Sequence, residues 1–226
     1  MSAVVAARPI RSVWRNVLRV KLALVDRRRY ESLQVEYVEG LPFVVLPDVF
    51  NPRLLRSGEF LAQQVEGIAR GSRVLELGCG AAAASVLAAR RGGHVTAVDI
   101  NPSAVRCARI NALLNDVELT IRHGDLFAPV HNERFDVVLF NPPYYRGTPA
   151  DALDRAWRSE DVMERFASEL PLHLTPDGYA LIVLSSDGER DHFVAGWRAQ
   201  GLLTEVAAQR DLINETLTVY RIQPPC

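Results

Sequence analysis

Arg73-Val-Leu-Glu-Leu-Gly78-Cys-Gly80-Ala-Ala82 is the stretch that decides the fold. Arg73 to Leu77 is a short apolar run that reads as a buried strand. Gly78 and Gly80 then permit positive φ and let a ligand approach the backbone closely. The small residues that follow open a helix. Nineteen residues beyond Gly80, the strand Val95-Thr-Ala-Val-Asp99 ends in a carboxylate placed to accept both hydroxyls of a ribose.

The same alternation continues in both directions. Strands are expected over 73–77, 94–99, 118–121, 135–140, 179–184 and 215–222, and helices over 82–91, 102–114, 159–173 and 189–200. Strand–helix alternation implies right-handed crossovers and a mostly parallel, doubly wound α/β sheet with helices on both faces. Leu202–Ala207 and Glu215–Ile222 read instead as a closing antiparallel hairpin. Upstream, Gln34–Val38 and Pro42–Leu46 flank Glu39-Gly40-Leu41 in a hairpin pattern. A helix follows from Ser57 to about Arg70, with Ser57 as its N-cap. Ile10, Val13, Trp14, Val17 and Leu18 recur at helical spacing, which predicts one or two helices over about 9–30. The chain thus divides into a basic helical segment and hairpin over 1–56 and an α/β domain over 57–226.

The composition, 48% hydrophobic and 23% charged over 226 residues, is that of a globular protein. No apolar stretch approaches the roughly 20 residues of a membrane span, and the amino terminus lacks a secretory pattern. Cys79, Cys107 and Cys226 are odd in number and widely spaced, which fits a reduced, cytoplasmic setting with neither a disulfide framework nor a metal site. Residues 8–29 carry eight basic side chains against Asp26 alone, a net of +7 that leaves −8 for the rest of a chain totalling −1. A mildly acidic body of this kind is not a broad duplex-binding surface. The basic segment reads either as a solvated helix packed on the domain or as a grip on an acidic or phosphate-bearing partner.

Two further stretches carry chemistry. Glu76 sits inside its strand end, where it would repel a pyrophosphate and attract a cationic amino-acid group, and His123-Gly-Asp125-Leu126-Phe127 supplies a carboxylate for an exocyclic adenine amine. Carboxylates after three successive strands suit a positively charged nucleoside without phosphates. Phe135–Phe140 then runs into Asn141-Pro142-Pro143-Tyr144, where the prolines stop the strand. Asn141 is thereby held at the carboxyl end of a strand, where open α/β sheets bind ligands. Its amide oxygen and the Pro142 carbonyl are two acceptors suited to a planar –NH2 group, and Tyr144 offers a flat face. The plainer alternative is a strand-ending Asn-Pro turn.

Glu-Leu-Gly-Cys-Gly, Val-Asp-Ile-Asn, Gly-Asp-Leu-Phe and Asn-Pro-Pro-Tyr, in this order, resemble the class I S-adenosylmethionine-dependent methyltransferases over roughly residues 45–185. The similarity is to the members that methylate planar nitrogen, and in wording it is nearest to the release-factor glutamine N5-methyltransferases. The resemblance implies a Rossmann-like domain with S-adenosyl-L-methionine as cofactor and S-adenosyl-L-homocysteine as product. It implies that Glu76, Gly78, Cys79 and Gly80 line the methionine half and that Asp99 takes the ribose. Ile100 and Asn101 would flank the ribose or adenine, and Asp125 with Leu126 would hold the adenine. Asn141, Pro142 and Tyr144 would be catalytic, with Phe50, Tyr144, Tyr145 and Trp157 meeting the acceptor. Ala82 stands where a third glycine is usual. The Asp48–Phe60 stretch, with Phe50 and Glu59, resembles the element that closes over the cofactor, here with a two-residue insertion.

Because the transferred methyl is already activated, the protein mainly has to align a nitrogen lone pair. No catalytic histidine is needed, and His123 and His131 read as surface loop residues. Three acceptors compete: a protein glutamine amide, favoured by the Asn-Pro-Pro-Tyr wording; a small-molecule amino or amide group; and a nucleic-acid base, supported by the basic leading segment alone. A degenerate module that only scaffolds a partner is the non-enzymatic alternative. A homodimer or a small activating partner, as in some relatives, is compatible with the sequence.

Overall fold

The computed structural model describes residues 32–53, 56–149, 154–213 and 215–225; the helices expected over 9–30 and Cys226 lie outside the described residues. β1 (Gln34–Val38) and β2 (Leu41–Val45) form an antiparallel hairpin. Its turn residues Glu39 and Gly40 have φ of 49° and 77°, as a two-residue turn that matches strand twist requires.

α1 (Ser57–Gln63), β3 (Arg73–Leu77), α2 (Ala83–Arg90), β4 (His94–Asp99), α3 (Pro102–Leu114), β5 (Thr120–His123) and β6 (Phe135–Phe140) follow in order. Next come the two-residue strands β7 (Tyr145–Arg146) and β8 (Arg158–Ser159), α4 (Val162–Glu169), β9 (Leu174–Ser185), α5 (Arg190–Ala199), β10 (Leu203–Asp211) and β11 (Thr216–Gln223). The central sheet has the strand order β10-β11-β9-β6-β3-β4-β5. β5, β4, β3, β6 and β9 run parallel, and β11 is antiparallel to both β9 and β10. Stepping outward from β3 through β4 to β5 and then back across to β6 reverses the strand order, which opens a crevice at the carboxyl ends of β3, β4 and β6.

Alternate residues of the central strands feed opposite cores. Leu75, Leu77, Val138 and Phe140 pack with Phe166 of α4 and with Phe193 and Trp197 of α5. Val74, Val137 and Leu139 pack with Phe60 and Leu61 of α1 and Val86 of α2. A strand covered on both faces needs apolar residues at successive positions, which is why Phe135–Phe140 shows no polar alternation. Val38 and Phe43 of the hairpin join the second core.

Several boundaries differ from the expectation. The helix from Ser57 stops at Gln63, where the Gln64 side chain donates to the Phe60 carbonyl and competes with the helical ladder. Ser57 is not the N-cap: Arg56, at φ 57°, occupies that position without a side-chain bond. The helix expected over 159–173 begins at Val162 and tightens into a single turn at Leu170–Leu172, since Pro171 has no N–H to give. β5 lies two residues later than read, and β9 starts five residues before position 179.

Candidate active site

A cavity of about 340 Å3 opens at that crevice, within the range of small-molecule sites. Gly78 and Gly80 hold φ of 60° and 53°, and Gly78 is exposed between buried neighbours, so the turn lays bare backbone toward the cavity. At such a φ glycine is the residue of least conformational cost. Ala82, in the place of the usual third glycine, itself adopts φ 59° and caps α2 fully buried. Asp48 and Leu126, at φ 60° and 44°, also line the cavity. Left-handed non-glycine residues cost on the order of 1–3 kcal/mol each, and two of the six among the described residues line this one cavity.

Asp99 ends β4 on the cavity wall. Gly80 N donates to its Oδ2 and Asn101 N to its Oδ1, each at 2.8 Å, so the carboxylate ties the glycine turn to the next strand. Burial pushes its pKa up, opposed by these amide bonds. Glu76 lies beneath the turn. Its carboxylate accepts from the backbone N–H of Ser85 at 2.8 Å and from the Ser85 hydroxyl, and so caps the start of α2. Burial raises it to about 7, the Ser85 bonds lower it, and Asp99 adds a smaller upward push. Cys79 is buried, and its thiol is pushed up by burial. Glu76 and Cys79 support the cavity without lining it.

Ile100, Asn101, Asp125 and Leu126 line the far end. Asn101 works twice: Oδ1 caps α3 by accepting from Ser103 N at 2.9 Å, and Nδ2 donates to the Asp48 carbonyl at 2.7 Å. Asp125 is paired with a residue that sequence reading did not single out. Arg165 of α4 donates from Nη2 to Asp125 Oδ2 at 2.7 Å. Nothing in the local pattern marks Arg165, because its partner lies 40 residues away.

At the opposite end Asn141 lines the cavity directly after β6, beside Phe50, Phe140 and Pro143. Asn141 Nδ2 donates to Ser57 Oγ at 3.2 Å, and the Tyr144 hydroxyl donates to Asn141 Oδ1 at 2.8 Å. Tyr144 is packed against the core beneath Asn141 and, like Pro142, is not a lining residue. Burial pushes its phenol well up, so it remains a donor. Tyr145 turns away, its hydroxyl donating to Asp187 Oδ2 at 3.2 Å. The Trp157 ring sits 6.2 Å from the Phe50 ring, one layer behind the cavity wall. Glu59 pairs with Arg53 rather than facing the cavity. His123 is exposed, its Nε2 2.9 Å from the Ile100 carbonyl. β7 and β8 pair in parallel and hold both flanks of the segment that supplies Thr148, Ala156 and Ser159 to the rim.

No helix among the described residues is long and apolar enough to cross a membrane. Comparison with known proteins matches this arrangement to a model of the methyltransferase small domain over residues 40–197. A putative protein N5-glutamine methyltransferase of Methanocaldococcus jannaschii is 30% identical over 191 residues, covering 80% of this chain and 95% of that one. A ribosomal protein uL3 glutamine methyltransferase of Bradyrhizobium diazoefficiens is 31% identical over 205 residues, covering 79% of this chain but 57% of that one. A ribosomal RNA small subunit methyltransferase C of Alcanivorax borkumensis is 34% identical over 147 residues, with 64% of this chain and 42% of that one aligned. The chain therefore spans nearly all of the first relative and about half of the other two. Among solved structures, a methyltransferase from Pyrococcus furiosus superposes with a TM-score of 0.62 at 18% identity over 96% of this chain and 98% of that one. The Mtq2–Trm112 complex of E. cuniculi gives 0.60 at 21% identity, over 79% and 99%. Since the family model runs through every parallel strand of the sheet and most of the chain, the chain belongs to the methyltransferase small domain family and is a methyltransferase.

Proposed function

We propose that this enzyme transfers a methyl group from S-adenosyl-L-methionine to the side-chain amide nitrogen of a protein glutamine. The observation that carries the reading is Asn141, on the cavity wall at the end of β6 with its amide held from both sides. The glutamine methyltransferases among the relatives support a protein acceptor.

The cavity residues suit this cofactor. Asp99 offers carboxylate oxygens to ribose hydroxyls, and Asp125 keeps one oxygen for an adenine amine while Arg165 takes the other. Leu126, Ile100 and Phe140 supply apolar surface, and Glu76 beneath the bare glycine turn provides negative charge for a cationic amino-acid end. When bound, the cofactor supplies a methyl group already activated by its sulfonium centre. The residues of the chain then have to aim the acceptor. Asn141 Oδ1 accepts a hydrogen of the acceptor –NH2, which helps localise a lone pair that is otherwise delocalised into the amide, while Pro142, off the cavity wall, holds the turn that aims Asn141. The nitrogen loses its proton as the new carbon–nitrogen bond forms, so no strong base is required. Phe50, with Trp157 behind it, borders the acceptor side. By analogy with the ribosomal protein uL3 glutamine methyltransferase among the relatives, the acceptor we propose is a protein of the translation machinery, and the setting the cytoplasm.

The test offers the purified chain radiolabelled S-adenosylmethionine with three acceptor pools: total cell protein, total nucleic acid and a small-molecule extract. The expected result is label in protein that survives nuclease and is recovered as methylated glutamine. Label confined to nucleic acid or to small molecules overturns the acceptor assignment, and turnover only after adding cell extract points to an activating partner. Asn141→Ala is expected to lower turnover about a hundredfold or more with cofactor affinity nearly unchanged. Retained turnover removes Asn141 from its role.

A further inference from the structure

Ser57 begins α1, far from Asn141 in the chain, yet its hydroxyl meets the Asn141 amide. It is 2% exposed, and a buried hydroxyl is retained only where it has partners. Its partner here is Asn141 Nδ2, at 3.2 Å. With the Tyr144 hydroxyl on Asn141 Oδ1 at 2.8 Å, the Asn141 amide is held at both its nitrogen and its oxygen. A side-chain amide can flip and exchange its oxygen for its nitrogen at little steric cost, so an acceptor built on an asparagine needs something to hold its plane. In this arrangement the phenol O–H meets the amide oxygen, and an amide N–H meets the serine oxygen. One lone pair of Oδ1 stays free for a ligand.

We infer that Ser57, together with the Tyr144 hydroxyl, locks the Asn141 side chain in the orientation that presents its oxygen to the acceptor nitrogen, which makes Ser57 a positioning residue for methyl transfer. This rests on the assignment of Asn141 made above. It also explains why Tyr144 lies beneath Asn141 rather than on the cavity wall, since its ring fills the core while its hydroxyl reaches the amide. The neighbouring Gly58 suits the same purpose. A Cβ there would lie 2.9 Å from Pro52 Cβ and 3.3 Å from Phe50 Cε1, so only glycine lets α1 come this close to the loop carrying Phe50.

The experiment compares Ser57→Ala, Ser57→Thr and Tyr144→Phe with the wild type and with Asn141→Ala, on whichever acceptor the wild type labels. Affinity for S-adenosylhomocysteine, kcat and KM are measured, together with the NMR signals of the Asn141 side-chain amide in protein labelled at asparagine. Ser57→Ala and Tyr144→Phe are expected to lower kcat about tenfold to a hundredfold, with cofactor affinity within about twofold and an Asn141 amide that becomes mobile. Ser57→Thr keeps the hydroxyl and restores both kcat and the ordered amide. Tyr144→Phe leaves α1 untouched, so it reads the clamp even if Ser57→Ala weakens folding. Full turnover in both Ser57→Ala and Tyr144→Phe overturns the inference, as does a Ser57→Thr variant no better than Ser57→Ala. If Asn141→Ala turns over normally, the amide-positioning reading itself falls. If it is inactive while Ser57→Ala is not, only the clamp falls.

Discussion

Glu76 is a carboxyl group held out of water and partly compensated by Ser85. Its pKa of about 7 lies above the ordinary 4.5, and that gap is a stability statement. Between the two values the folded chain binds a proton that the unfolded chain has lost. The contribution of Glu76 is therefore fully present below about pH 4.5 and is lost as pH rises through 7. At about 1.4 kcal/mol per pH unit of separation, the loss is on the order of 3 kcal/mol. Asp99 is shifted in the same direction and adds to the slope. Denaturant midpoints of the ligand-free protein at pH 5 and pH 8 are expected to show this fall, and Glu76→Gln is expected to shrink it, since the amide can still accept from Ser85. A slope unchanged in Glu76→Gln assigns it to other groups. A cationic ligand near Glu76 favours the ionised form, so cofactor binding at pH 6 is expected to release protons.

At the scale of elements, the segment after β6 that carries Asn141 and Tyr144 is held by the loop that follows β9. Gly188 lies against Tyr144, and a Cβ added there would sit 2.8 Å from the Tyr144 carbonyl oxygen and 2.9 Å from its Cβ. Glu189 N–H reaches the same carbonyl at 3.4 Å. Gly188→Ala must push Tyr144 or the α5 entry aside, which disturbs the Tyr144 hydroxyl on Asn141 Oδ1. Turnover is expected to fall about tenfold or more while cofactor affinity, set at the other end of the cavity, changes little. Equal losses in both, measured by titration and steady-state kinetics, would mean that the whole sheet edge has shifted. The β7–β8 pair acts on the same region: Tyr145 N donates to the Trp157 carbonyl at 2.9 Å and Gly147 N to the Ser159 carbonyl at 3.1 Å, which joins this side of the cavity rim to β7, just beyond Asn141 in the chain.

At the scale of the whole molecule, one buried residue bonds the hairpin to both α3 and the glycine turn. Asn111 of α3 is fully buried. Its Oδ1 accepts from Val44 N at 2.8 Å, and its Nδ2 donates to Val44 O at 2.8 Å and to Ala81 O at 2.9 Å. One side chain thus joins β2, the glycine turn and α3. Asn111→Ala leaves the Val44 N–H and the Ala81 carbonyl without this partner, while the Val44 carbonyl keeps the Cys107 thiol, at about 1–3 kcal/mol for each unsatisfied group. A total loss of about 3 kcal/mol or more is expected in urea unfolding, together with weaker cofactor binding, because Ala81 adjoins the turn. A loss below about 1 kcal/mol would mean that the hairpin and the turn hold their places independently of Asn111.

The alternation of strands and helices, the glycine turn at 78–80 and the carboxylates at the ends of β3 and β4 were legible in the sequence, because each depends on residues within a few positions of one another. So was Asn141 at the end of β6, since prolines terminate a strand whatever surrounds it. Helix ends were less legible: a Gln64 side chain competing for a carbonyl and a proline inside Leu170–Leu172 act through single hydrogen bonds that periodicity does not register. The partners of the site were not legible at all. Ser57 beside Asn141, Arg165 beside Asp125, Asn111 beside Val44 and Gly188 against Tyr144 are each brought together by the packing of α1, α3, α4 and the β9–α5 loop around the sheet. The sequence by itself determined where the strands end and which residues stand there, through local sterics and burial pattern. Tertiary structure alone decided that Tyr144 faces Asn141 instead of the cavity, because the direction of a side chain after a turn depends on which core its ring can fill.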